Sequence, residues 1–308
     1  MEKVLVTGGA GFIGSNLTKR LVGLGYEVTA IDNFYLGKIE NLEKVVDKIE
    51  FYEMDIRDKN KLRELFESKK FNYVFNEAAC SSAPMFDKDP RYAMDVNLNG
   101  FLNILQLASE NKVKRLVYAS TSSIYHDLKP PHREDMLVTP KSFYTISKYF
   151  AELAARQYWN EHKLETIGLR YFSVYGPNEV HKGRFANTIS QFLWLMREDE
   201  SPVIYGDGKQ TRDFIYVEDV VEANLLAMRN GSPGEVYNIG TGKSTSFNEI
   251  VKLLNRFLKK EIKPKYVKNP IHNYIPRTEA SVGKAKRELK FVHKHSLEEG
   301  IRHTIEHY

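Results

Sequence analysis

The sequence predicts an α/β fold in which a doubly wound parallel sheet is followed by a smaller C-terminal lobe. Three observations support this prediction. Apolar runs of strand length alternate with amphipathic helical patterns over about the first 180 residues. A glycine-rich turn joins the first predicted strand to the first predicted helix, and an aspartate ends the second predicted strand. This alternation is typical of a Rossmann-type sheet with helices on both faces.

Each element of the sheet is predicted from its pattern of apolar residues. Short apolar runs predict strands at Lys3–Val6, Glu27–Asp32, Glu50–Glu53, Tyr73–Asn76, Arg115–Ser120 and Thr166–Arg170. Helical periodicity predicts helices near Ile13–Leu24, Lys59–Ser68, Pro90–Asn111 and Ser142–His162. Ligands of such sheets bind beyond the C-terminal ends of the strands, so the residues that follow each strand are the first candidates for a site.

The pattern changes after Gly176-Pro177. In the remaining chain we predict helices at Phe185–Arg197, Glu218–Met228 and Phe247–Lys259, strands at Asp213–Val217 and Glu235–Ile239, and a basic tail with little pattern. The predicted organisation is a dinucleotide-binding domain at residues 1–176 and a lobe at residues 177–308. The lobe is expected mainly to bind substrate, with segments that return to the first domain.

Composition narrows the class of protein. The chain has 308 residues, 42% of them hydrophobic, and a scattered net charge of 45 − 40 = +5, which does not indicate nucleic-acid binding. The single cysteine, Cys80, excludes an internal disulfide and favours a reducing, cytoplasmic location. We predict neither a signal peptide nor a membrane-spanning run. The nine histidines lack metal-ligand spacing, so no metal site is predicted.

The glycine-rich turn is Thr7-Gly8-Gly9-Ala10-Gly11-Phe12-Ile13-Gly14. Its glycines let the backbone turn tightly and approach a pyrophosphate, while the first N–H groups of the next helix attract phosphate oxygens. Asp32 lies 18 residues after Gly14, where a carboxylate accepts hydrogen bonds from an adenosine ribose and repels a 2′-phosphate. Together they predict NAD rather than NADP. The simpler interpretation is a plain strand-to-helix turn with an aspartate cap.

A tyrosine and a lysine, Tyr144 and Lys148, stand one turn apart in a predicted helix. A nearby ammonium lowers the pKa of a phenol toward that of a general base. Hydroxyl residues from Ser120 to Ser123 follow the fifth predicted strand, and a hydroxyl there can bond a substrate oxygen and relay its proton to Tyr144. Alone, the pair is a surface contact and the hydroxyls form a turn. Together with the glycine turn and Asp32, they predict catalysis.

Ordered motifs along nearly the whole chain support a family resemblance. They are the glycine-rich turn, Asp32-Asn33, Asp55-Ile56-Arg57-Asp58, Ala78-Ala79, Asn97, Tyr144 with Lys148, Leu169-Arg170-Tyr171-Phe172, Tyr175-Gly176-Pro177, Gly206-Asp207-Gly208, and Arg212-Asp213-Phe214-Ile215-Tyr216-Val217-Glu218-Asp219-Val220. The sequence resembles the extended short-chain dehydrogenase/reductases that act on nucleotide sugars, above all the UDP-glucose 4-epimerases and their relatives. The resemblance implies bound NAD and a homodimer that pairs the helices near Pro90–Asn111 and Ser142–His162.

The resemblance also implies roles for particular residues. It assigns cofactor binding to Gly8, Gly11, Phe12, Ile13, Gly14, Asp32, Asn33, Asp55, Ile56, Ala78, Ala79, Asn97, Lys148 and Tyr171. It assigns catalysis to Tyr144, Lys148 and Thr121, and substrate binding to Ser122, Ser123, Ser173, Arg212 and Thr278. In this scheme Arg212 grips the nucleotide diphosphate, and Thr278 gates the pocket against bulky 2-substituents.

The implied activity is 4-epimerisation of UDP-glucose and UDP-galactose, with N-acetylated UDP-hexosamines admitted if Thr278 leaves room. Tyr144 removes the 4-hydroxyl proton while C4 gives hydride to NAD, and the 4-keto sugar turns over before it takes hydride back. Ser122 and Ser123 replace the Asp-Glu pair of the 4,6-dehydratases, so dehydration is disfavoured. The alternatives are a decarboxylase, a 6-epimerase, a 4,6-dehydratase, or a non-catalytic NAD-binding regulator.

The chain departs from the family pattern at a few positions near the expected site. They are His126 for the usual glycine, Asn76-Glu77 for a histidine and an apolar residue, Ser173 for an asparagine, and Ile271 for a second diphosphate arginine that Lys268, His272 or Arg277 could replace. These departures leave the identity of the substrate open.

Overall fold

The computed structural model describes residues 1–270 and 274–308. The strands are β1 (Lys3–Thr7), β2 (Glu27–Asp32), β3 (Glu50–Glu53), β4 (Tyr73–Asn76), β5 (Arg115–Thr121), β6 (Glu165–Tyr171), β7 (Ser173–Tyr175), β8 (Val203–Tyr205), β9 (Thr211–Tyr216), β10 (Val236–Ile239), β11 (Ser244–Ser246) and β12 (Lys265–Val267). The α-helices are α1 (Phe12–Gly23), α2 (Lys59–Lys69), α3 (Ala83–Lys88), α4 (Pro90–Asp95), α5 (Phe101–Glu110), α6 (Phe143–His162), α7 (Thr188–Arg197), α8 (Val217–Asn230), α9 (Phe247–Leu258) and α10 (Leu297–His307). Short 3₁₀ turns and two π-helical turns, Val96–Gly100 and Ala285–Leu289, complete the secondary structure of these residues.

The main sheet contains seven strands in the order β10-β6-β5-β4-β1-β2-β3. Every neighbouring pair in it is parallel, which confirms the predicted doubly wound sheet. From β1 the chain runs outward to β2 and β3, then returns to β4 and continues in the opposite direction. The strand order therefore reverses between β1 and β4. In open α/β sheets this switch point is where dinucleotides bind.

Apolar side chains cover both faces of this sheet. On one face, helices α2, α5 and α6 bury residues such as Leu62, Ile104 and Ala155. On the other face, α1 and α8 bury residues such as Leu17 and Val220. Because both faces are covered, the strands are almost continuously apolar, as in Val4-Leu5-Val6.

The predicted lobe at residues 177–308 contributes most of a further apolar cluster, in which Phe192, Phe214 and Phe247 join α7, β9 and α9, although Phe12 and Tyr175 also belong to it. Two small sheets, β11-β9-β7 and β12-β8, lie in this region, and β7 comes from the first 176 residues. Two buried carboxylates anchor the basic tail to this lobe. Asp213 accepts a hydrogen bond from the Ala280 N–H at 2.9 Å, and Asp219 accepts one from the Lys294 N–H at 2.8 Å. The tail is therefore ordered by contacts that local sequence pattern does not reveal.

The six strands predicted in the first 176 residues are all present, each within one residue of its predicted ends. The predicted helix Pro90–Asn111 is divided into α4, a π-helical turn and α5. At this turn a Cβ on Gly100 would lie 2.6 Å from the Ile56 side chain, so glycine permits the close approach. Strands β7, β8, β11 and β12 and helices α3 and α10 were not predicted. No helix in the described parts of the chain is both long and apolar enough to cross a membrane.

Candidate active site

A cleft of about 770 Å³ runs along the C-terminal ends of the central strands of the main sheet. It crosses the switch point between β1 and β4. Most of the residues predicted for the site line it. These are Gly8, Gly11, Phe12, Ile13, Gly14, Asp32, Asn33, Asp55, Ile56, Ala78, Ala79, Thr121, Ser122, Ser123, Tyr144, Lys148, Tyr171 and Ser173.

The glycine-rich turn allows backbone to approach backbone closely on one side of the cleft. Gly8 has φ of +64°, and a Cβ there would lie 2.8 Å from the backbone nitrogen of Ala78. A Cβ on Gly14 would overlap the carbonyl oxygen of Gly8. Gly11 is the N-cap of α1 and has no side chain to cover the first N–H groups of that helix. The turn therefore presents a helix N-terminus to the cleft, which suits a phosphate.

Asp32 ends β2 beside this turn and is only 7% exposed. Its two oxygens accept hydrogen bonds from the N–H of Ala10 at 3.1 Å and of Phe34 at 2.8 Å. Burial raises the pKa of Asp32, and these backbone bonds oppose that change. The carboxylate is thus held in the wall of the cleft, one strand away from the glycine turn.

The three predicted catalytic residues come from two neighbouring elements. Ser142 and Thr145 form a capping box that begins α6 and places Tyr144 in its first turn. Lys148 follows one turn later, and its Nζ donates a hydrogen bond to the carbonyl oxygen of Ala119 at 3.0 Å. Thr121 ends β5, and its hydroxyl accepts from the Ser123 N–H at 3.1 Å. The helix and the strand end thereby bring all three side chains to one part of the cleft.

Burial dominates the protonation of this group. It raises the pKa of Tyr144 to about 12, although hydrogen bonding with Thr121 opposes the shift. Burial also lowers the pKa of Lys148 to about 8, opposed by the charges of Glu77, Cys80 and Glu152. The predicted lowering of the Tyr144 pKa is therefore wrong for this structure. Spacing on a helix does not reveal desolvation, which here outweighs the hydrogen bond with Thr121.

Glu77 is a cleft residue whose role the sequence did not predict. It follows β4, and its Oε1 accepts a hydrogen bond from the Tyr171 hydroxyl at 2.8 Å. That hydroxyl in turn accepts from the Asn224 side chain at 2.8 Å. Burial raises the pKa of Glu77 to about 7, while Tyr171 and the charge of Lys148 oppose the shift. A second titratable group therefore lies close enough to Lys148 for the two charges to interact.

We expect Glu77→Gln to remove a pH dependence of stability. The folded-state pKa of about 7 lies above the ordinary 4.5, so the unfolded chain releases this proton first. The free energy of unfolding then falls as pH rises from about 4.5 to about 7, by about 2–3 kcal/mol from this group. Urea unfolding at several pH values should show that loss in the wild type and a smaller one in Glu77→Gln.

A Tyr171→Phe variant provides the comparison for this prediction. It removes the hydrogen bond that holds the Glu77 pKa down, so the loss of stability should extend to higher pH. Equal pH slopes in the wild type and Glu77→Gln would contradict the account of this carboxylate.

Three predicted site residues lie outside the cleft lining. The Asn97 side chain bonds the backbone N–H and carbonyl of Cys80 and the Ser147 hydroxyl, so it braces the wall from behind. Thr278 is 5% exposed, and its hydroxyl accepts from the Asp213 N–H at 3.3 Å. The sequence predicted that Thr278 gates the pocket. In the structure it does not line the cleft, because the tail packs it against β9. Pro270 and Ile275 line the cleft instead.

Arg212 is the third of these residues. Its guanidinium lies 5.3 Å from the centre of the Tyr274 ring and 5.6 Å from that of Phe247. Burial lowers its pKa, and the group that opposes this is Tyr274 rather than a carboxylate. The half-buried guanidinium thus has aromatic neighbours, and its Nη1 donates to the carbonyl oxygen of Thr211 at 2.9 Å. The position aligned with the second arginine, Ile271, and the candidate His272 lie outside the described residues; Arg277 pairs with Glu279.

A buried polar network supports the strand end that bears Thr121. Arg170 of β6 pairs with Glu152 of α6 through two bonds, Nε to Oε1 at 2.8 Å and Nη2 to Oε2 at 2.7 Å. Both side chains are at least 94% buried. The Ser120 hydroxyl donates to Glu152, and Arg170 donates to the Tyr125 hydroxyl at 2.8 Å. The network therefore connects α6, β5, β6 and the turn after β5.

Comparison with known proteins places the chain in a family. The profile of the NAD dependent epimerase/dehydratase family matches residues 4–240, which include the glycine turn, the three residues predicted for catalysis and β10. The chain belongs to this family. Family membership agrees with the predicted NAD cofactor. Among the described residues, no group of three or more histidine, cysteine or acidic side chains is arranged to hold a metal.

Members of this epimerase/dehydratase family with different activities are similar along their whole length. A putative UDP-glucose 4-epimerase of Methanocaldococcus jannaschii is 36% identical, over 98% of this chain and 97% of that protein. A UDP-N-acetyl-alpha-D-glucosaminuronate decarboxylase of Bacillus cytotoxicus is 35% identical, over 99% and 97%. The structure of a UDP-glucose 4-epimerase of Thermotoga maritima with UDP-glucose has a TM-score of 0.94 and 35% identity, over 99% and 98%. The family is thus certain, whereas relatives of similar identity catalyse different reactions.

Proposed function

We propose that this family member is an NAD-dependent nucleotide-sugar 4-epimerase, with UDP-glucose and UDP-galactose as substrates and N-acetylated UDP-hexosamines as further candidates. The observation that supports it most is the chemistry around Thr121. Tyr144, Lys148 and Thr121 share one cleft, and serines stand at the two positions after Thr121. Hydroxyls at 122 and 123 cannot readily replace the acid and base that dehydration needs, whereas in epimerisation, apart from the hydride transfer, the one proton transfer needed is at the 4-hydroxyl.

The cleft fits NAD on the features of its own residues. The glycine turn, where a Cβ on Gly8 or Gly14 would meet backbone, would hold the pyrophosphate, and Asp32 would hold the adenosine ribose. With the adenosine half above β2, the nicotinamide half would extend across the switch point toward β4, β5 and β6. When bound, NAD supplies the hydride acceptor and donor for C4 and a positive charge in the cleft.

The residues that would transfer the proton lie at the C-terminal end of β5 and near the N-terminal end of α6. In the wall of the cleft, burial raises the pKa of the Tyr144 phenol to about 12, so it can hold a proton through the step in which the sugar is a ketone. Before that step it must accept the 4-hydroxyl proton as a phenolate, which added positive charge in the cleft favours. Thr121 orients the sugar oxygen, and Lys148 is fixed by Ala119. Returning the proton from Tyr144 to O4 completes the turnover.

We assign the nucleotide diphosphate to Arg212 on the basis of its unpaired charge. The half-buried guanidinium lies against aromatic rings and donates to the Thr211 carbonyl, and no carboxylate among the described residues pairs with it, so a diphosphate would supply the missing anion. The assignment requires the side chain to turn toward the cleft on binding. Because Arg212 lies within residues 177–308, we also propose that this lobe binds the substrate and that residues 1–176 bind the cofactor.

We also propose a homodimer formed through α5 and α6. Ile146 and Leu153 of α6 are 43% and 52% exposed although both are apolar. They lie seven residues apart on one face of the helix. Burying that stripe against a second copy would remove both from water. A cytoplasmic location is the remaining part of the proposal.

The test of the proposed activity is product analysis by NMR with the NAD-loaded protein. UDP-galactose should be converted to UDP-glucose, seen as H4 moving from an equatorial to an axial position, with no net NADH. UDP-GlcNAc, UDP-glucuronate and dTDP-glucose form the comparison panel. A decarboxylase is 35% identical to this chain. Release of carbon dioxide from a uronate substrate would therefore indicate a decarboxylase and contradict the proposal.

A further inference from the structure

His126 has a backbone conformation that disfavours any residue with a side chain. It closes the 3₁₀ turn Ser122–Tyr125 with φ of 41° and ψ of −105°. A Cβ makes this region rarely populated, and glycine adopts it without that cost. The family resemblance expects glycine at this position. Strain that persists in a native structure is concentrated at sites where the side chain has a function.

The imidazole of His126 is unsatisfied in the described structure. Both ring nitrogens are buried and have no hydrogen-bond partner among the described residues. The Asp127 Oδ1 atom lies 3.5 Å from Nδ1 without forming a hydrogen bond, while Oδ2 of the same carboxylate accepts a hydrogen bond from the Lys141 ammonium at 2.7 Å. An imidazole always has at least one N–H to donate. A buried donor without a partner is unfavourable unless a ligand completes it.

The same ring lines the cleft where the reacting part of the sugar is expected. Thr121, Ser123 and Tyr144 line the cleft with it, and His126 is five residues from Thr121 in a tight turn. We propose that His126 is a specificity-determining residue whose imidazole hydrogen-bonds an oxygen of the substrate's hexose. This inference rests on the proposed function, because it places the hexose in this part of the cleft.

Two kinds of hexose oxygen accept a hydrogen bond from an imidazole N–H: that of a sugar hydroxyl and that of the C6 carboxylate of a hexuronate. A hydroxyl contact is neutral, whereas a carboxylate contact is charge-assisted and stronger. UDP-glucose and UDP-glucuronate differ at C6 alone, so comparing them separates the two sources. Free UDP lacks the hexose and reports on the nucleotide alone.

The experiment combines binding and thermal unfolding of His126→Gly. Dissociation constants for UDP, UDP-glucose and UDP-glucuronate are measured by calorimetry on NAD-loaded protein in a Tyr144→Phe background, so that sugars are not converted. The expected result is unchanged UDP affinity and a weaker sugar complex, by about 5- to 10-fold for a hydroxyl and up to about 100-fold for a carboxylate. Without ligand, the variant should melt about 2–4 °C higher because glycine relieves the backbone.

Lys70→Gly is the matched control, since Lys70 also has a positive φ, 56°, but caps α2 away from the cleft. It should leave all three affinities unchanged. The inference is overturned if His126→Gly binds both sugars as the background protein does, or if it weakens UDP and the sugars equally. Failure of the proposed function looks different: a wild type that binds these sugars and converts none. A wild type that binds none of them overturns both.

Discussion

Replacing Tyr144 by phenylalanine should lower kcat by about 10³-fold, since a positioned proton-transfer group contributes about 10²–10⁴-fold. The variant removes only the hydroxyl from a buried side chain whose ring packs 5.7 Å from that of Phe86. The ring should therefore stay in place, and bound NAD and the KM for the nucleotide sugar should stay close to wild-type values. Steady-state kinetics with UDP-galactose measure kcat and KM, and the NAD content of the purified protein measures cofactor binding.

Tyr149→Phe is the matched control, because Tyr149 lies in the same helix, one residue after Lys148, and packs against the cluster of Ile124 and Phe172 instead. It should retain wild-type kcat. Substantial activity in Tyr144→Phe, above about a tenth of wild type, would mean that another group handles the proton.

Glu152→Ala should cost about 3–5 kcal/mol of unfolding free energy, the effect of leaving one member of a buried ion pair alone. Glu152 holds Arg170 through two bonds and also accepts from Ser120, and its side chain is 6% exposed. The alanine leaves a guanidinium buried without its carboxylate. Urea unfolding measures the loss, and kcat should fall as well because Ser120 precedes Thr121.

A double variant separates the unpaired charge from the lost packing. Glu152→Met with Arg170→Met removes both charges and keeps most of the volume, so it should be much closer to wild-type stability than Glu152→Ala. If Glu152→Ala costs less than about 1 kcal/mol, the network does not stabilise the strand end as described.

Local pattern predicted the parts of the site that lie where one strand ends and the next element begins. The glycine turn, Asp32 and Thr121 were placed correctly in the cleft because strand ends meet at one edge of a parallel sheet. The predicted placement of Tyr144 and Lys148 on one face of α6 follows from helix geometry, because residues four apart lie one turn apart. Whether each residue has its assigned role is a separate question that the proposed experiments address.

What could not be predicted depends on packing between distant parts of the chain. The tail pairs with Thr211 of β9 around Arg277 and with His132 at Ala280, which buries Thr278 and leaves the cleft to residues such as Ile275. Asn97 could not be distinguished from a cofactor ligand without knowing that it faces the Cys80 backbone. Departures from the family pattern at Glu77 and His126 were visible in the sequence, but their burial was not.

The most direct test of the central claim is the reaction of UDP-galactose in D₂O with NAD-loaded protein, followed by NMR and mass spectrometry. In a 4-epimerisation the hydrogen on C4 leaves and returns as hydride, so the product should be UDP-glucose of unchanged mass with no deuterium bound to carbon. Deuterium on C5 or C6 together with loss of water would show a 4,6-dehydratase and contradict the proposal. No conversion of UDP-galactose, with carbon dioxide released from a UDP-hexuronate, would contradict it in favour of a decarboxylase.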